Sequence, residues 1–444
     1  MKVKLFVATV AASGLVVGSA RAQVDFSPVT DPIDAFLAAR PQAPGAGLLI
    51  AGFDGTIVHE QYWGTYDRST SIRIASATKW LSGTLLADLA DEELLNLDAP
   101  LSTILPEFAG FDDGRGDTTV RQLFSHTSGM AGQSQWVGRQ DVTLAQAVSN
   151  IAASPFLMTS DPGSTFSYGG VSMHVAGRVA EVVSGESWVD LFDERLANLL
   201  GMTSLSWDGI GGPTNPRIAG GAAASIDDYA RLLALLGNGG MHDGERLLSQ
   251  QAVDEILADQ SGDVAIGFVP GGVDVFDGYG LGTWIERRND AGQPVEFSSP
   301  GAFGAVPWID IENEYYGIFL IDNSYQAVDD LTDALRAFSA DVINAAPDRA
   351  GDADRDGDVD LADFGILRAS FGTFPGRFVE GDLDGDTDVD LSDFAILRAN
   401  FGQAEAALLD AWHASVVPEP TTILSLSTLL LTRRTGAVVR RGQP

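Results

Sequence analysis

Strand-forming segments occur in two places far apart in this sequence, and they constrain its fold more than any other feature. In residues 47–66, Leu48-Leu49-Ile50-Ala51 and Ile57-Val58 flank Phe53-Asp54-Gly55. Asp-Gly between apolar runs is a strong hairpin signal. Residues 280–285, 294–297, 305–311 and 315–321 read as further strands. Residues 118–238 are mainly helical in pattern, with helices starting at Val120 and spanning 171–183 and 226–236. Strands at both ends with helices between them predict an α+β fold, in which one antiparallel sheet is built from both ends and a helical domain lies beside it. A helix over 31–40 is expected before the hairpin, with Asp31 as N-cap, Pro32 at its first position and Ile33, Phe36 and Leu37 inward. A long helix over 327–345 closes the unit.

Composition removes several functional classes. The 444 residues carry a formal charge of −34, which argues against a nucleic-acid partner, whose phosphates need Lys and Arg. There is no cysteine, so thiol catalysis, disulfides and Cys-based metal sites are excluded. Lys2 and Lys4, an apolar run over 5–17 and Ala20-Arg21-Ala22 predict a secretory signal over 1–22, cut before Gln23. The run is shorter than a membrane span. The protein is therefore expected to be exported.

Ile74-Ala75-Ser76-Ala77-Thr78-Lys79-Trp80 places a serine and a lysine three residues apart where an apolar-periodic helix begins. Ser76 then sits in the first turn, with Lys79 on the same face. A serine hydroxyl becomes a nucleophile when a neighbouring base takes its proton, and a neutral lysine can do so. The helix N-terminus favours an oxyanion at that spot. Tyr168, between the Asp161-Pro162-Gly163 turn and a helix, is the candidate third group for proton transfer. Ser298-Ser299-Pro300-Gly301-Ala302-Phe303-Gly304 leads into a strand; its small residues suit a substrate lying along the backbone, with an edge-strand N–H from Ala302 completing an oxyanion hole with Ser76.

In order and spacing, Ser76-x-x-Lys79, Tyr168 and Gly301-Ala302-Phe303-Gly304 resemble the serine β-lactamase/penicillin-binding-protein superfamily, above all its class C β-lactamases and family VIII-type esterases. The stretches Val120–Gly129, Gly280-Leu281-Gly282 and Asp227-Asp228-Tyr229-Ala230-Arg231 add to the likeness, which covers roughly 30–345 within a domain placed at 23–346. The resemblance implies a β-lactamase/transpeptidase-like fold in which Ser76 is acylated, Lys79 is the base and Tyr168 assists. His126 belongs to a stretch that is structural in that superfamily. Two positions depart from the pattern. Gly170 stands where relatives carry Asn, and Ser299 stands where they carry Lys or His. The missing cation points to a neutral ester or amide rather than a β-lactam.

Beyond a linker at 347–351, Asp352, Asp354, Asp356, Asp358, Asp360 and Asp363 occupy positions 1, 3, 5, 7, 9 and 12 of a loop. Asp382, Asp384, Asp386, Asp388, Asp390 and Asp393 repeat them 30 residues on. Carboxylates at these offsets wrap Ca²⁺, with the position 7 ligand coming from the backbone. Gly357 suits the sharp turn at position 6, where the second loop has Thr387. A helix follows each loop, with Phe364, Leu367 and Phe371, then Phe394, Leu397 and Phe401, on one face. The pair, 352–403, resembles a small all-α type I dockerin, which implies two Ca²⁺ ions and a cohesin-type protein partner. Leu361-Ala362 and Leu391-Ser392 fall where dockerins carry recognition residues. Val417-Pro418-Glu419-Pro420, a short apolar run and Arg433-Arg434 make 417–444 resemble a PEP-CTERM sorting tail. Such a tail implies an exosortase-type processing enzyme and a cell-surface or envelope location. Three readings stay open: an esterase or amide hydrolase, a dockerin-borne scaffold whose hydrolase domain is weak or inactive, and a peptidoglycan carboxypeptidase or β-lactamase.

Overall fold

The hairpin forms where its sequence places it. β1 (Gly45–Gly52) and β2 (Ile57–Gly64) are joined by a turn in which Asp54 Oδ1 accepts the Thr56 N–H at 2.8 Å. Gly55 takes a left-handed φ of 86° there, open to glycine without strain. Among the described residues six further strands of three or more residues follow: β3 (Thr165–Ser167), β4 (Ala265–Phe268), β5 (Trp284–Arg288), β6 (Pro294–Ser298), β7 (Ala305–Asp310) and β8 (Tyr315–Ile321). These come from a computed structural model that describes residues 26–271, 276–289, 291–345, 351–353, 359–372, 381, 383 and 389–401. The expected signal at 1–22 and the tail at 417–444 lie outside the described residues.

The main sheet runs β2-β1-β8-β7-β6-β5, antiparallel throughout. Its last strand therefore lies beside its first, with Leu48 opposite Phe319 and Ile50 opposite Gly317. Alternate side chains point to opposite faces. Leu49 and Ala51 join Ile309, Ile318 and Leu320 in the larger core, which is shared with the helical region. Leu48 and Ile50 join Trp308, Tyr315 and Phe319 in a second core under the two terminal helices. Burial on both faces explains why these strands run apolar without alternation. Each such side chain contributes roughly 1.5–3 kcal/mol.

The helices include α1 (Ser27–Ala38), α2 (Thr78–Asp91), α3 (Val120–Phe124), α4 (Leu144–Ala152), α5 (Val171–Ser184), α6 (Ile226–Gly237), α7 (Gln250–Leu257) and α8 (Asp329–Ala345). α1 begins four residues before the expected Asp31 cap, and Pro32 lies inside it. Phe26 and Val29 are buried in the second core, so packing draws the first turn back to Ser27. α8 is tied to the sheet through Arg336, which pairs with Glu286 of β5 (3.0 Å) and Glu296 of β6 (3.3 Å). The strand expected over 280–285 starts only at Trp284. Gly282, with φ at 91°, passes so close to α2 that a Cβ would fall 2.2 Å from the Lys79 carbonyl oxygen. That approach bends 280–283 out of the ladder. Among the described residues no helix is long and apolar enough to cross a membrane.

The C-terminal unit is a separate compact body. In it, α9 (Leu361–Ser370) and α10 (Leu391–Asn400) each start on a capping box, Asp360/Asp363 and Asp390/Asp393. Leu367, Leu397, Val359 and Val389 form its core, with the Phe364 and Phe394 rings 6.0 Å apart. Phe371 and Phe401, expected on one face with Leu367 and Leu397, lie one residue past the helix ends and are about half exposed.

Candidate active site

A 3-10 turn, Ala75–Ala77, runs directly into α2 and carries Ser76. Ala75 holds a left-handed φ of 45°, a conformation that costs a non-glycine residue of order 1 kcal/mol and recurs at functional turns. Ser76 is partly exposed, whereas Lys79 is only 3% exposed. Lys79 Nζ lies 3.1 Å from Ser76 Oγ and donates to the Ala219 carbonyl at 2.8 Å. It also stands 4.5 Å from the centre of the Tyr168 ring. No carboxylate is within ion-pair distance of this amine among the described residues, so its partners are a hydroxyl, a carbonyl and an aromatic face.

Sequence reasoning missed the wall that supplies Ala219. Residues 217–224 run alongside 72–79: Ile72 and Arg73 pair with Ala224 and Ala223, and the Ile74 N–H reaches the Ala222 carbonyl at 3.1 Å. Thr78 Oγ1 accepts the Ala222 N–H, Ser82 Oγ donates to the Ile218 carbonyl, and Tyr229 Oη donates to the Ala77 carbonyl at 2.7 Å. The only sequence signal was the small-residue run at 220–225, which is what lets two backbones meet so closely.

Tyr168 follows β3 and precedes Gly170, the N-cap of α5. The parallel pairing of β3 with β4 fixes it, because its N–H donates to the Phe268 carbonyl at 2.9 Å. Its ring stacks on Trp284 (5.1 Å, 23°) and tilts against His126 (4.5 Å). His126 is fully buried among Phe166, Tyr168 and Tyr279. Burial, aided by the nearby Lys79 charge, holds its imidazole neutral, far below the usual histidine range.

The Ser299–Ala302 segment also meets the Ser76 turn, but not as an edge strand. The outermost strand on that side is β5, whereas residues 299–304 link the inner strands β6 and β7 as a turn closed by Gly304 N–H to the Gly301 carbonyl (2.9 Å). Ala302 is exposed in that turn. Gly301 lies against residue 74 so closely that a Cβ would fall 2.0 Å from the Ile74 carbonyl oxygen. Ser299 is 2% exposed, and its hydroxyl donates inward to the carbonyls of Gly282 (3.1 Å) and Ser76 (3.4 Å). It braces the turn and presents no cation to a substrate.

Of the acidic-repeat residues, Asp352, Asp360, Asp363, Asp390 and Asp393 are described; Asp354, Asp356, Asp358, Asp382, Asp384, Asp386 and Asp388 lie outside the described residues. No complete metal-holding group forms among the described residues alone. Asp363 and Asp393 are fully buried, and each accepts a 2.7 Å bond from the N–H of Asp360 or Asp390. Asp393 also accepts the Leu383 N–H at 2.7 Å. Carboxylate oxygens at loop position 12 are the hard donors that a Ca²⁺ site uses, so the chemistry of these residues fits that ion.

A two-faced sheet sandwich with Ser76 and Lys79 at the head of its central helix defines a β-lactamase/transpeptidase-like α+β protein. The Beta-lactamase family model matches residues 33–341, and the chain belongs to that family of serine β-lactamase-fold hydrolases. The chain is similar to penicillin-binding protein 4 of Amycolatopsis lactamdurans (34% identical, covering 36% of this chain and 43% of that one). It is also similar to esterase EstB of Burkholderia gladioli (28%, covering 36% and 45%). It thus spans less than half the length of these two curated relatives. A crystal structure of a β-lactamase-like protein from Bacteroides dorei DSM 17855 covers 71% of this chain and 99% of its own, with a TM-score of 0.63 at 28% identity. EstCE1, a hydrolase with promiscuous acyltransferase activity, covers 68% of this chain and 94% of its own with a TM-score of 0.54; at 19% identity it speaks to the fold alone.

Proposed function

We propose that this protein is an exported serine hydrolase that cleaves a neutral ester or amide through an acyl-enzyme on Ser76. The observation that carries this reading is the 3.1 Å contact between Ser76 Oγ and a buried Lys79 whose other partners are uncharged. As the free amine, Lys79 takes the Ser76 proton while Oγ attacks the acyl carbon. The main-chain N–H groups of Ser76 and Ala302 receive the oxyanion, beside the backbone of Gly301. Tyr168, over the lysine, hands a proton to the leaving group, which departs as an alcohol or amine. Water then attacks the acyl-enzyme by the reverse route. The inward Ser299 hydroxyl and the bare Gly170 favour an ester over a β-lactam or peptide, whose carboxylate would find no cation there.

The acidic repeat would hold two Ca²⁺ ions through its aspartates, and its function is structural: closing the loops around α9 and α10 so that they can meet a cohesin-type partner. The tail would direct sorting through an exosortase-type enzyme. The test is turnover of short-chain nitrophenyl esters and a chromogenic cephalosporin by the full chain, its Ser76→Ala variant and its Lys79→Ala variant. Ester turnover lost in Ser76→Ala, lowered roughly 10²–10⁴-fold in Lys79→Ala, with little cephalosporin cleavage, is the expected result. Failure of Ser76 to react with a fluorophosphonate probe, alongside no turnover, overturns the reading in favour of a scaffold.

A further inference from the structure

The short segment that ends in Trp284 meets two of the three catalytic candidates. Gly282 lies against the Lys79 carbonyl of α2, and the Thr283 hydroxyl donates to the Ser298 carbonyl at 2.8 Å. Trp284, opposite Ser298 at the start of β5, stacks its ring on that of Tyr168 at 5.1 Å and 23°. Fully buried Tyr279 lies nearly at right angles to the Trp284 ring (4.8 Å, 86°), with Phe166 at 6.1 Å and Phe276 at 6.3 Å. Trp284 is itself partly exposed, unlike His126, which tilts against Tyr168 from within the core. Among the described residues the Tyr168 hydroxyl makes no hydrogen bond, so the packing of its ring is what aims it.

We infer that Trp284 is a positioning residue: its stack on Tyr168 aims the phenol hydroxyl at the leaving-group oxygen during acylation. This rests on the Ser76 acyl-enzyme reading and deepens it. As Ser76 Oγ bonds to the acyl carbon, the bond from that carbon to the alcohol oxygen breaks, and the departing oxygen needs a proton. Tyr168 gives it, and the Lys79 ammonium, which holds the former Ser76 proton, restores the phenol. Lys79 Nζ lies over the Tyr168 ring at 4.5 Å, so the orientation of that ring decides whether its hydroxyl serves both the amine and the departing oxygen. The Phe268 carbonyl fixes the Tyr168 main chain, and Trp284 fixes the plane of its ring. Aromatic rings favour offset stacking, and this stack stands on a backbone held against α2 at Lys79 itself. A misplacement of about 1 Å at a reacting group costs roughly 10²-fold in rate.

Ethyl acetate and p-nitrophenyl acetate separate this role from packing, because both form the same acetyl-enzyme and kcat/KM reports its formation from each. Nitrophenolate leaves without a proton, whereas ethoxide, a far stronger base, does not. The ratio of the two kcat/KM values in one preparation is also independent of how much of the protein is folded. In the full chain, Trp284→Ala is expected to lower kcat/KM for ethyl acetate roughly 10–10²-fold more than for the nitrophenyl ester. Trp284→Phe, which keeps a stacking ring, should recover most of that difference. Tyr168→Phe should show the same selective loss, and adding Trp284→Ala to it should not deepen it. Equal losses on both esters in Trp284→Ala, or a further selective loss in the double variant, overturn the inference while leaving the hydrolase reading intact. A Tyr168→Phe enzyme with the parent's ratio overturns it together with the proton-donor role of Tyr168. Absence of any Ser76-dependent acetate hydrolysis overturns both the inference and the acyl-enzyme reading.

Discussion

Lys79 and His126 show how burial shapes this site one side chain at a time. Lys79 is 3% exposed, and its amine meets the Ser76 hydroxyl, the Ala219 carbonyl and the Tyr168 ring. The buried imidazole of His126 acts as an apolar wall for Tyr168. A second buried histidine, His174 on α5, has its pKa lowered to about 4 by burial, with the Asn215 amide partly opposing and the Arg217 charge adding to the shift. A base whose pKa is lower folded than unfolded binds fewer protons in the folded state. Its contribution to stability is therefore full above pH 6.5 and declines as the pH falls toward 4. Urea unfolding followed between pH 7 and pH 4 should lose up to about 3 kcal/mol through His174, with His126 acting in the same direction. His174→Gln should flatten that part of the slope; an unchanged slope would remove His174 as its source.

α2 and the 280–283 segment are held backbone to backbone. Gly83 faces the Leu281 carbonyl, where a Cβ would fall 1.9 Å away, and Gly282 faces the Lys79 carbonyl. Gly83→Ala therefore sets two effects against each other. Helix propensity favours alanine by about 1 kcal/mol. Overpacking against a main-chain oxygen, which cannot rotate away, costs about 1–3 kcal/mol or more. The clash wins, so Gly83→Ala should lower the urea midpoint and, by shifting the turn of α2 that carries Lys79, slow ester acylation. A variant as stable as the parent would show that the two segments can part without cost.

The two compact units differ in what holds them together. Residues 25–343 bury two large apolar cores on either side of one sheet. The C-terminal unit has a core of a few aliphatic and aromatic side chains around buried Asp363 and Asp393. A core that small is marginal alone, and metal binding adds to folding free energy. Calcium at 100 times its dissociation constant should stabilise that unit by roughly 2.7 kcal/mol per site. Calorimetry of the full chain with Ca²⁺ and with a chelator should move only the transition of the smaller unit. A chelator-insensitive profile, or loss of both transitions together, would refute separate calcium-dependent folding.

Much of the architecture follows from local chemistry that a sequence records. Asp-Gly closes the β1–β2 hairpin, apolar periodicity gives α5, α6 and α8, and the duplicated aspartates start α9 and α10 on their own capping boxes. Ser76 and Lys79 meet because one helical turn separates them, a distance that spacing alone specifies. What the spacing could not specify is which main-chain groups arrive from elsewhere. The Ala219 carbonyl on Lys79 and the Ser299 hydroxyl on the Ser76 carbonyl each join segments more than a hundred residues apart. So does the late start of β5, set by Gly282 against Lys79. A side-chain pattern encodes its own turn of helix or strand, whereas a carbonyl looks the same at every position until packing brings it to its donor. Periodicity and spacing therefore place Ser76, Lys79 and the helices that follow the acidic repeats; packing across the molecule assigns Ala219 and Ser299 their neighbours.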